Sequence, residues 1–282
     1  MFLKGEPVVS TLKGEVLDAA RNRAAKGFSA PKIALLRLGE NPDDIAYEDK
    51  IVNDCKSLGI LAEKITLNKA GSTADLLNLI DSLNASDEIH GILLFRPLPS
   101  QFDIAKISDR IKPEKDIDAM GSMNLAKVFA GDNSALAPCT PEAVVELLKH
   151  YFGDLTGKNI AVVNRSLVLG KPLAMLLLAE NATVTLCHSK TRALSKITTG
   201  ADIVVTGVGK GKYFGKEYFS NHSIVVDVGI NFIDGKMCGD VDFDAVKEVV
   251  EAITPVPGGV GPVTSMILFR NLIKGIALQE GI

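Results

Sequence analysis

The chain of 282 residues contains no tryptophan, and its aromatic residues are only 11 phenylalanines and 4 tyrosines. A hydrophobic content of 46% with so few aromatic rings leaves valine, isoleucine, leucine and alanine to build the core. Such residues are typical of parallel strands that helices bury on both faces. The length is enough for about two domains, so neither a disulfide nor a metal is needed to stabilise the fold.

Clustered cysteines, an excess of charge and long apolar stretches are also missing. The 4 cysteines lie far apart, without the spacing of a zinc site or a disulfide framework. Lys and Arg total 31 against 34 for Asp and Glu, which disfavours a nucleic acid or a membrane surface as partner. The longest apolar run, residues 172–179, is far below the about 20 residues of a membrane span. We therefore expect a cytoplasmic protein without a bound metal.

Short apolar segments alternate with helix-compatible segments along most of the chain. Strands are predicted at residues 32–38, 63–67, 91–95, 159–163, 183–187, 203–206 and 224–228. Helices are predicted at residues 43–57, 76–83, 143–150, 173–178 and 262–279, with a short helix from about residue 192. This order predicts an α/β fold with parallel βαβ units, whose second half forms a sheet of the dinucleotide-binding type.

The turn after the first predicted strand of the second half is a candidate nucleotide site, although it lacks a Gly-x-Gly-x-x-Gly pattern. Asn164, Arg165 and Ser166 stand where the strand passes into a helix. Backbone N–H groups at a helix start, together with a cation, can bind a phosphate, but an ordinary turn has the same pattern. Ser189 follows the next strand without an acidic neighbour. This favours NADP over NAD, unless the segment is only a solvated strand end.

Three further groups of residues are candidates for a substrate site. Pro257, Gly258 and Gly259 belong to a stiff loop rich in proline and glycine, which suits either close approach to a ligand or a simple domain crossover. Tyr47 and Lys50 are three residues apart on a predicted helix and can touch. Asp116 and Asp118 flank Ile117 after a Pro-Glu-Lys turn, and most such pairs are only surface polar groups.

Eight ordered motifs show that the chain resembles the methylenetetrahydrofolate dehydrogenase/cyclohydrolase family. They are Gly91-Ile92-Leu93 with Pro97-Leu98-Pro99, Lys115-Asp116-Ile117-Asp118, Pro138-Cys139-Thr140-Pro141, Arg165-Ser166 with Gly170-Lys171-Pro172, Cys187-His188-Ser189-Lys190-Thr191, Asp227-Val228-Gly229-Ile230-Asn231, Gly239-Asp240-Val241 and residues 253–262.

The resemblance implies two domains separated by a cleft. A folate-binding catalytic domain would comprise residues 1–139 plus 263–282, and a Rossmann-like NAD(P)-binding domain residues 140–262. The implied reaction is the NADP-dependent oxidation of 5,10-methylenetetrahydrofolate to 5,10-methenyltetrahydrofolate, with folate as the small-molecule substrate. The family also implies a homodimer.

The resemblance further assigns roles to single residues. Tyr47 would stack on the folate, Asp118 would accept hydrogen bonds from the pterin, and the loop of Pro257, Gly258 and Gly259 would close over the substrate. The positions that the family uses for the cofactor are Asn164, Arg165, Ser166, Ser189 and Ile230; Arg165 and Ser189 would bind the 2′-phosphate of NADP. Asn164 stands where the family usually has glycine.

Two departures from the family pattern concern the cyclohydrolase step. The family's catalytic lysine falls on Ile51, and its supporting glutamine falls on Phe95, so neither side chain can manage protons as water attacks. Lys50 lies one residue early, about 100° around the helix, and is kept as a candidate catalytic residue together with Tyr47 and Asp118.

These departures leave three hypotheses open. The first is a dehydrogenase with little or no cyclohydrolase activity. The second is a fully bifunctional enzyme in which Lys50 or a water network replaces the lysine. The third is a folate- or nucleotide-binding protein without turnover.

Overall fold

The computed structural model describes residues 1–281, and the chain divides into two compact units. Residues 12–137 and the chain from residue 268 onward form one unit, which contains a sheet of three strands and is called the three-stranded unit. Residues 1–11 and 138–267 form the other, with a sheet of five strands, called the five-stranded unit. The domain boundaries predicted above concern ligand binding and stay a prediction.

The helices and strands confirm the predicted α/β class. The elements up to residue 130 are α1 (Glu6–Ala25), β1 (Lys32–Leu38), α2 (Pro42–Leu58), β2 (Leu61–Leu67), α3 (Thr73–Ala85), β3 (Gly91–Leu94), α4 (Ile104–Ser108) and α5 (Ser122–Ala130). The elements after it are α6 (Cys139–Phe152), β4 (Asn159–Val163), α7 (Gly170–Ala179), β5 (Thr183–Cys187), α8 (Leu194–Thr199), β6 (Ile203–Thr206), a 3₁₀ turn (Lys216–Tyr218), β7 (Ile224–Asp227), β8 (Asn231–Ile233), β9 (Lys236–Cys238), α9 (Phe243–Val246), β10 (Ala252–Ile253) and α10 (Val260–Glu280).

The sheet of the three-stranded unit is parallel, in the order β2-β1-β3. Its central strand β1 is almost wholly buried, because α2 and α3 connect consecutive parallel strands and cover the sheet. The Asn41 side chain accepts the N–H of Asp43 at the start of α2, and Gly59 ends this helix in a left-handed conformation, with φ of 69°. Ser72 and Asp75 form a capping box at the start of α3.

The sheet of the five-stranded unit is also parallel, in the order β10-β7-β6-β4-β5. Val162, Val205 and Val226 lie side by side on β4, β6 and β7 and are all fully buried. The strands that follow β4 in the chain lie on its two opposite sides. Such a reversal separates the loops at the carboxyl ends of the strands and leaves a crevice there, where α/β proteins bind ligands.

The C-terminal part of α10 is fixed within the three-stranded unit by side chains that donate to backbone carbonyls. Asn271 Nδ2 donates to the carbonyls of Ile117 and Ala137, each at 2.9 Å. Gly275 lies against the carbonyl of Glu114, where a Cβ atom would be only 2.3 Å from the oxygen. Close packing here therefore requires glycine at position 275.

The cysteines take no part in disulfides. Cys55, Cys139 and Cys187 are buried, and Cys238 is half-buried. Burial raises the pKa of the Cys55 thiol to about 12, so this thiol stays protonated at neutral pH. Within residues 1–281, the side chains of His, Cys, Asp and Glu form no group that could hold a metal ion. In the same range, no helix has both the length and the apolar character that a membrane crossing needs.

The packing of Gly275 gives a stability prediction. Gly275→Ala places a methyl group against the backbone of Glu114, so we expect the free energy of unfolding to fall by about 1–3 kcal/mol. Gly14→Ala is the matched control, because Gly14 also lies inside a long helix but has no heavy atom within 4 Å of its Cβ position. We expect this control to be neutral or stabilising by up to about 1 kcal/mol. Urea unfolding measures both, and equal stability of the two variants contradicts the packing interpretation.

Candidate active site

The first candidate site lies where β1 separates β2 from β3, so that the order of the strands reverses. Helix α2 follows β1 and carries Tyr47, while Phe95 directly follows β3. The centroids of their rings are 5.4 Å apart, and the ring planes are tilted by 52°. Tyr47 is 43% exposed and Phe95 only 7%. A buried ring thus supports an exposed ring that can receive a flat ligand.

The segment 115–118 runs beside β3 and is fixed by buried polar groups. Lys115 donates from Nζ to the carbonyls of Leu83, Asn84 and Ser86 at 2.7–3.1 Å, which satisfies the C-terminal end of α3. Asp116 accepts the N–H of Gly121 at 2.8 Å, next to the start of α5. Burial raises the pKa of Asp116 to about 6. These two residues shape the loop, which leaves Asp118 as its half-buried carboxylate.

Asp118 forms an ion pair that the sequence motifs do not reveal. Its Oδ2 atom accepts a hydrogen bond of 2.6 Å from Nη2 of Arg96, the residue after Phe95. Tyr47, Phe95, Arg96 and Asp118 therefore all belong to the loops and helix starts beside the ends of β1 and β3. The sequence motifs did not assign Arg96 to the site. The signal available was an arginine beside a proline, directly after a buried strand.

Ile51 and Phe95, the two residues that depart from the family pattern, are both buried. Ile51 is fully buried, so an apolar core side chain stands at the position that the resemblance assigns to the family's lysine. Lys50 lies on the exposed face of α2, where Nζ is 3.3 Å from Oδ2 of Asp54. The pair joins residues i and i+4 of one helix, which holds the lysine head near the next turn.

The second candidate site lies at the carboxyl edge of the five-stranded sheet, where β4 separates β5 from β6. Asn164 Oδ1 accepts the N–H groups of Ser166 at 2.7 Å and Gly170 at 3.0 Å, and Nδ2 donates to the carbonyl of Gly207. These two N–H groups are therefore used inside the turn rather than presented to a phosphate. Arg165 and Ser166 are exposed beside them.

The register of the strands shows how the cofactor candidates Arg165, Ser189 and Ile230 are placed along the sheet. Val163 pairs with Cys187, so Arg165 and Ser189 each follow a paired strand end by two residues. Both are exposed. Ile230 follows β7 in the same sheet and is 60% exposed. The three residues thus lie on loops that leave the same edge of the sheet.

Two buried carboxylates, which sequence analysis did not assign to the site, hold the loops of this edge. Asp240 accepts hydrogen bonds from the backbone N–H groups of three successive loop residues after β6: Val208, Gly209 and Lys210. It also accepts one from the side-chain amide of Asn231. Asp227 accepts the N–H groups of Gly229, Asp240 and Val241 at 2.8–3.1 Å. Burial raises the pKa of Asp227 to about 6. The motif Gly239-Asp240-Val241 was the available signal for this role.

The loop of Pro257, Gly258 and Gly259 belongs to the five-stranded unit, whereas Tyr47, Lys50 and Asp118 belong to the three-stranded unit. Gly258 has φ of 104°, and its carbonyl accepts the N–H of Gly5 at 2.8 Å. A cavity of about 460 Å³ lies beside the loop, lined by Lys4, Glu6, Val9, Pro255, Pro257, Gly258 and Pro262. Closure of the loop over a folate stays a prediction.

The strand order 2-1-3-4-5 of the larger sheet and the glycine-dependent turns at its edge define a doubly wound nucleotide-binding protein. Residues 138–280 match the NAD(P)-binding domain of tetrahydrofolate dehydrogenase/cyclohydrolase, and residues 3–118 match the catalytic domain of the same family. The chain belongs to the tetrahydrofolate dehydrogenase/cyclohydrolase family. The predicted family, its enzymatic nature and an NAD(P) cofactor are thereby confirmed.

Individual relatives cover nearly the whole chain. The protein named bifunctional protein FolD from Clostridium botulinum (strain Kyoto / Type A2) is 53% identical over 273 residues, 96% of either chain. The crystal structure of the bifunctional enzyme FolD from Campylobacter jejuni has a TM-score of 0.95 and 36% identity, and the match covers 99% of both chains. The FolD structure from Trypanosoma brucei, complexed with NADP cofactor and an inhibitor, has a TM-score of 0.91 and 28% identity over 100% of this chain and 99% of that one.

Proposed function

We propose that this protein oxidises 5,10-methylenetetrahydrofolate to 5,10-methenyltetrahydrofolate with NADP, and that its cyclohydrolase activity is weak or absent. The observation that carries the proposal is that the exposed Tyr47 ring, packed on Phe95, is kept as a folate platform, whereas Ile51 is apolar and fully buried. The platform serves both reactions, whereas the missing ammonium is needed only for hydrolysis.

Hydride transfer needs little chemical assistance from the side chains of the protein. NADP, when bound, supplies the nicotinamide ring that accepts the hydride from the methylene carbon, which leaves the methenyl cation as product. The residues of this chain hold the folate and the nicotinamide ring close together in the orientation that hydride transfer needs. Tyr47 offers a ring for stacking, and the Asp118 carboxylate can receive the parallel N–H donors of the pterin, a strong and selective contact.

Hydrolysis of the methenyl product needs more assistance from side chains, because water must lose a proton as it attacks the carbon. A general base or a nearby ammonium supports this step, and neither Ile51 nor Phe95 carries a titratable group. Lys50 pairs with Asp54 on the exposed face of α2. The alternative, a fully bifunctional enzyme, is favoured by the name of the relative at 53% identity.

The residues at the edge of the five-stranded sheet fit NADP. Gly170 and Gly207 allow close approach of their loops, because a Cβ atom would lie 2.1 Å from the Asn164 carbonyl oxygen at Gly170 and 2.4 Å from Leu169 Cδ2 at Gly207. Arg165 and Ser189 offer a cation and a hydroxyl for the 2′-phosphate, and Ser166 and Ile230 are exposed beside them. The complex of the Trypanosoma brucei relative with NADP supports the same cofactor.

The first prediction concerns the product that accumulates. With methylenetetrahydrofolate and NADP, we expect methenyltetrahydrofolate to build up in step with reduced cofactor, since added enzyme does not hasten its decay. Absorbance of the two products, with methenyltetrahydrofolate decay followed separately with and without enzyme, measures this. A decay rate that rises in proportion to enzyme concentration contradicts the monofunctional proposal. Saturable folate binding without any cofactor reduction contradicts the dehydrogenase itself.

Two lysine variants distinguish the bifunctional alternative from the proposed dehydrogenase with little or no cyclohydrolase activity. If Lys50 replaces the family's lysine, Lys50→Met abolishes any enzyme-dependent decay of methenyltetrahydrofolate and spares the dehydrogenase. Lys56→Met is the matched control, because Lys56 is an exposed lysine of the same helix. Under our proposal neither substitution changes the decay.

A second prediction concerns the 2′-phosphate. Arg165→Gln removes the cation, so we expect the KM for NADP to rise about 10–100-fold, the range for a lost hydrogen bond to a charged group. The KM for NAD, which lacks the phosphate, serves as the internal control and should stay unchanged. A parallel rise for both cofactors indicates a structural defect and contradicts the assignment.

A homodimer in the cytoplasm is also part of the proposal. The homodimer rests on the family resemblance alone, and the cytoplasmic location rests on the composition of the sequence. Sedimentation velocity of the purified chain at micromolar concentration tests the oligomeric state. A single monomeric species contradicts it.

A further inference from the structure

Arg96 is the first residue after the buried end of the β3 region, and its position is closely determined. Phe95 continues the strand pairing, with its N–H donating to the carbonyl of Leu36 at 2.9 Å. Pro97 follows, and a proline restricts the preceding residue to extended conformations. The backbone on both sides of Arg96 is therefore fixed, which limits the volume that its guanidinium can reach.

The partner of Arg96 is held with similar rigidity. Ile117, the residue before Asp118, is fully buried, and its carbonyl accepts from Asn271 at 2.9 Å. The Asp118 side chain is 33% exposed and that of Arg96 25%, in contrast to the pair of Arg110 and Asp81, where these values are 54% and 44%. An ion pair between fixed, partly buried side chains loses less conformational freedom on forming than a surface pair.

A second carboxyl group lies near Asp118. The carboxyl group of Asp116 is close enough that the charge on Asp118 helps to raise the pKa of Asp116. An aspartate that must receive N–H donors has to be ionised, since a protonated carboxyl group loses acceptor capacity. Arg96 supplies the compensating cation, and it contacts Asp118 directly.

We propose that Arg96 is a positioning residue for folate binding: its guanidinium holds the Asp118 carboxylate ionised and in the orientation that receives the pterin N–H groups. The inference rests on the proposed function and adds a residue to it. Each oxygen of a carboxylate can accept more than one hydrogen bond, so the bond from Arg96 to Oδ2 is compatible with a bidentate pterin contact.

The test compares Arg96→Leu and Arg96→Lys with the wild type. For Arg96→Leu we expect the KM for methylenetetrahydrofolate to rise about 10-fold or more, the effect of a lost charge-assisted contact. The acid limb of the pH profile of kcat/KM should move to higher pH, because Asp118 then takes up a proton more readily. Arg96→Lys keeps the charge, so it should restore the acid limb while recovering only part of the affinity. The KM for NADP should not change.

Arg110→Leu is the matched control, because it removes another arginine–aspartate pair from the three-stranded unit. The thermal midpoint of every variant separates a folding defect from a binding defect. The inference is overturned if Arg96→Leu leaves both the folate KM and the acid limb unchanged. It is also overturned if its effects are matched by Arg110→Leu or occur only with a loss of thermal stability.

Binding of tetrahydrofolate by titration calorimetry keeps this inference distinct from the proposed reaction. If the wild type binds tetrahydrofolate but does not reduce NADP, the proposed reaction fails, and the binding deficit of Arg96→Leu still decides the role of Arg96. If the wild type binds no tetrahydrofolate, the role of Arg96 is refuted as well.

Discussion

Parallel pairing of strands is the constraint on which both units depend. Parallel neighbours cannot be joined by a tight turn, so the chain crosses over through helices and brings all carboxyl ends of the strands to one edge. In each sheet the strand that comes first in the chain lies inside, β1 between β2 and β3, and β4 between β5 and β6. The following connections leave in opposite directions, and a crevice opens between them. Tyr47 and Phe95 flank the first crevice, and Asn164 bridges the loops of the second.

Buried ionic groups give these loops their shape. A buried charge is tolerated only when hydrogen bonds compensate for the lost water, and Lys115 and Asp240 each have at least three such partners. Their partners are mainly backbone groups of loops or helix ends, which otherwise would need water. Each candidate site therefore presents exposed or half-buried side chains on a fixed backbone: Tyr47 and Asp118 in the three-stranded unit, and Arg165 in the five-stranded unit.

The sequence predicted β1 to β7, most of which are apolar runs bounded by polar or glycine-containing segments, and β1, β4, β5 and β6 have the predicted bounds. It did not predict the short strands β8, β9 and β10. It missed α1, whose buried residues Val8, Leu12 and Val16 recur only every fourth position. Tyr47 and Asp118 could be named from the family pattern. The contact of Arg96 with Asp118 could not, because it joins residues 22 apart through a loop whose path depends on Lys115 and Asp116.

The absence of tryptophan has a practical consequence. With excitation at wavelengths that phenylalanine does not absorb, the emission of the folded chain comes from 4 tyrosines, of which Tyr151, Tyr213 and Tyr218 belong to the five-stranded unit. Tyr47 is thus the single emitter in the three-stranded unit, and it is exposed beside Phe95. An aromatic ligand stacked on it would quench one fluorophore of known position. The protein therefore carries a natural optical reporter for one crevice, without any label.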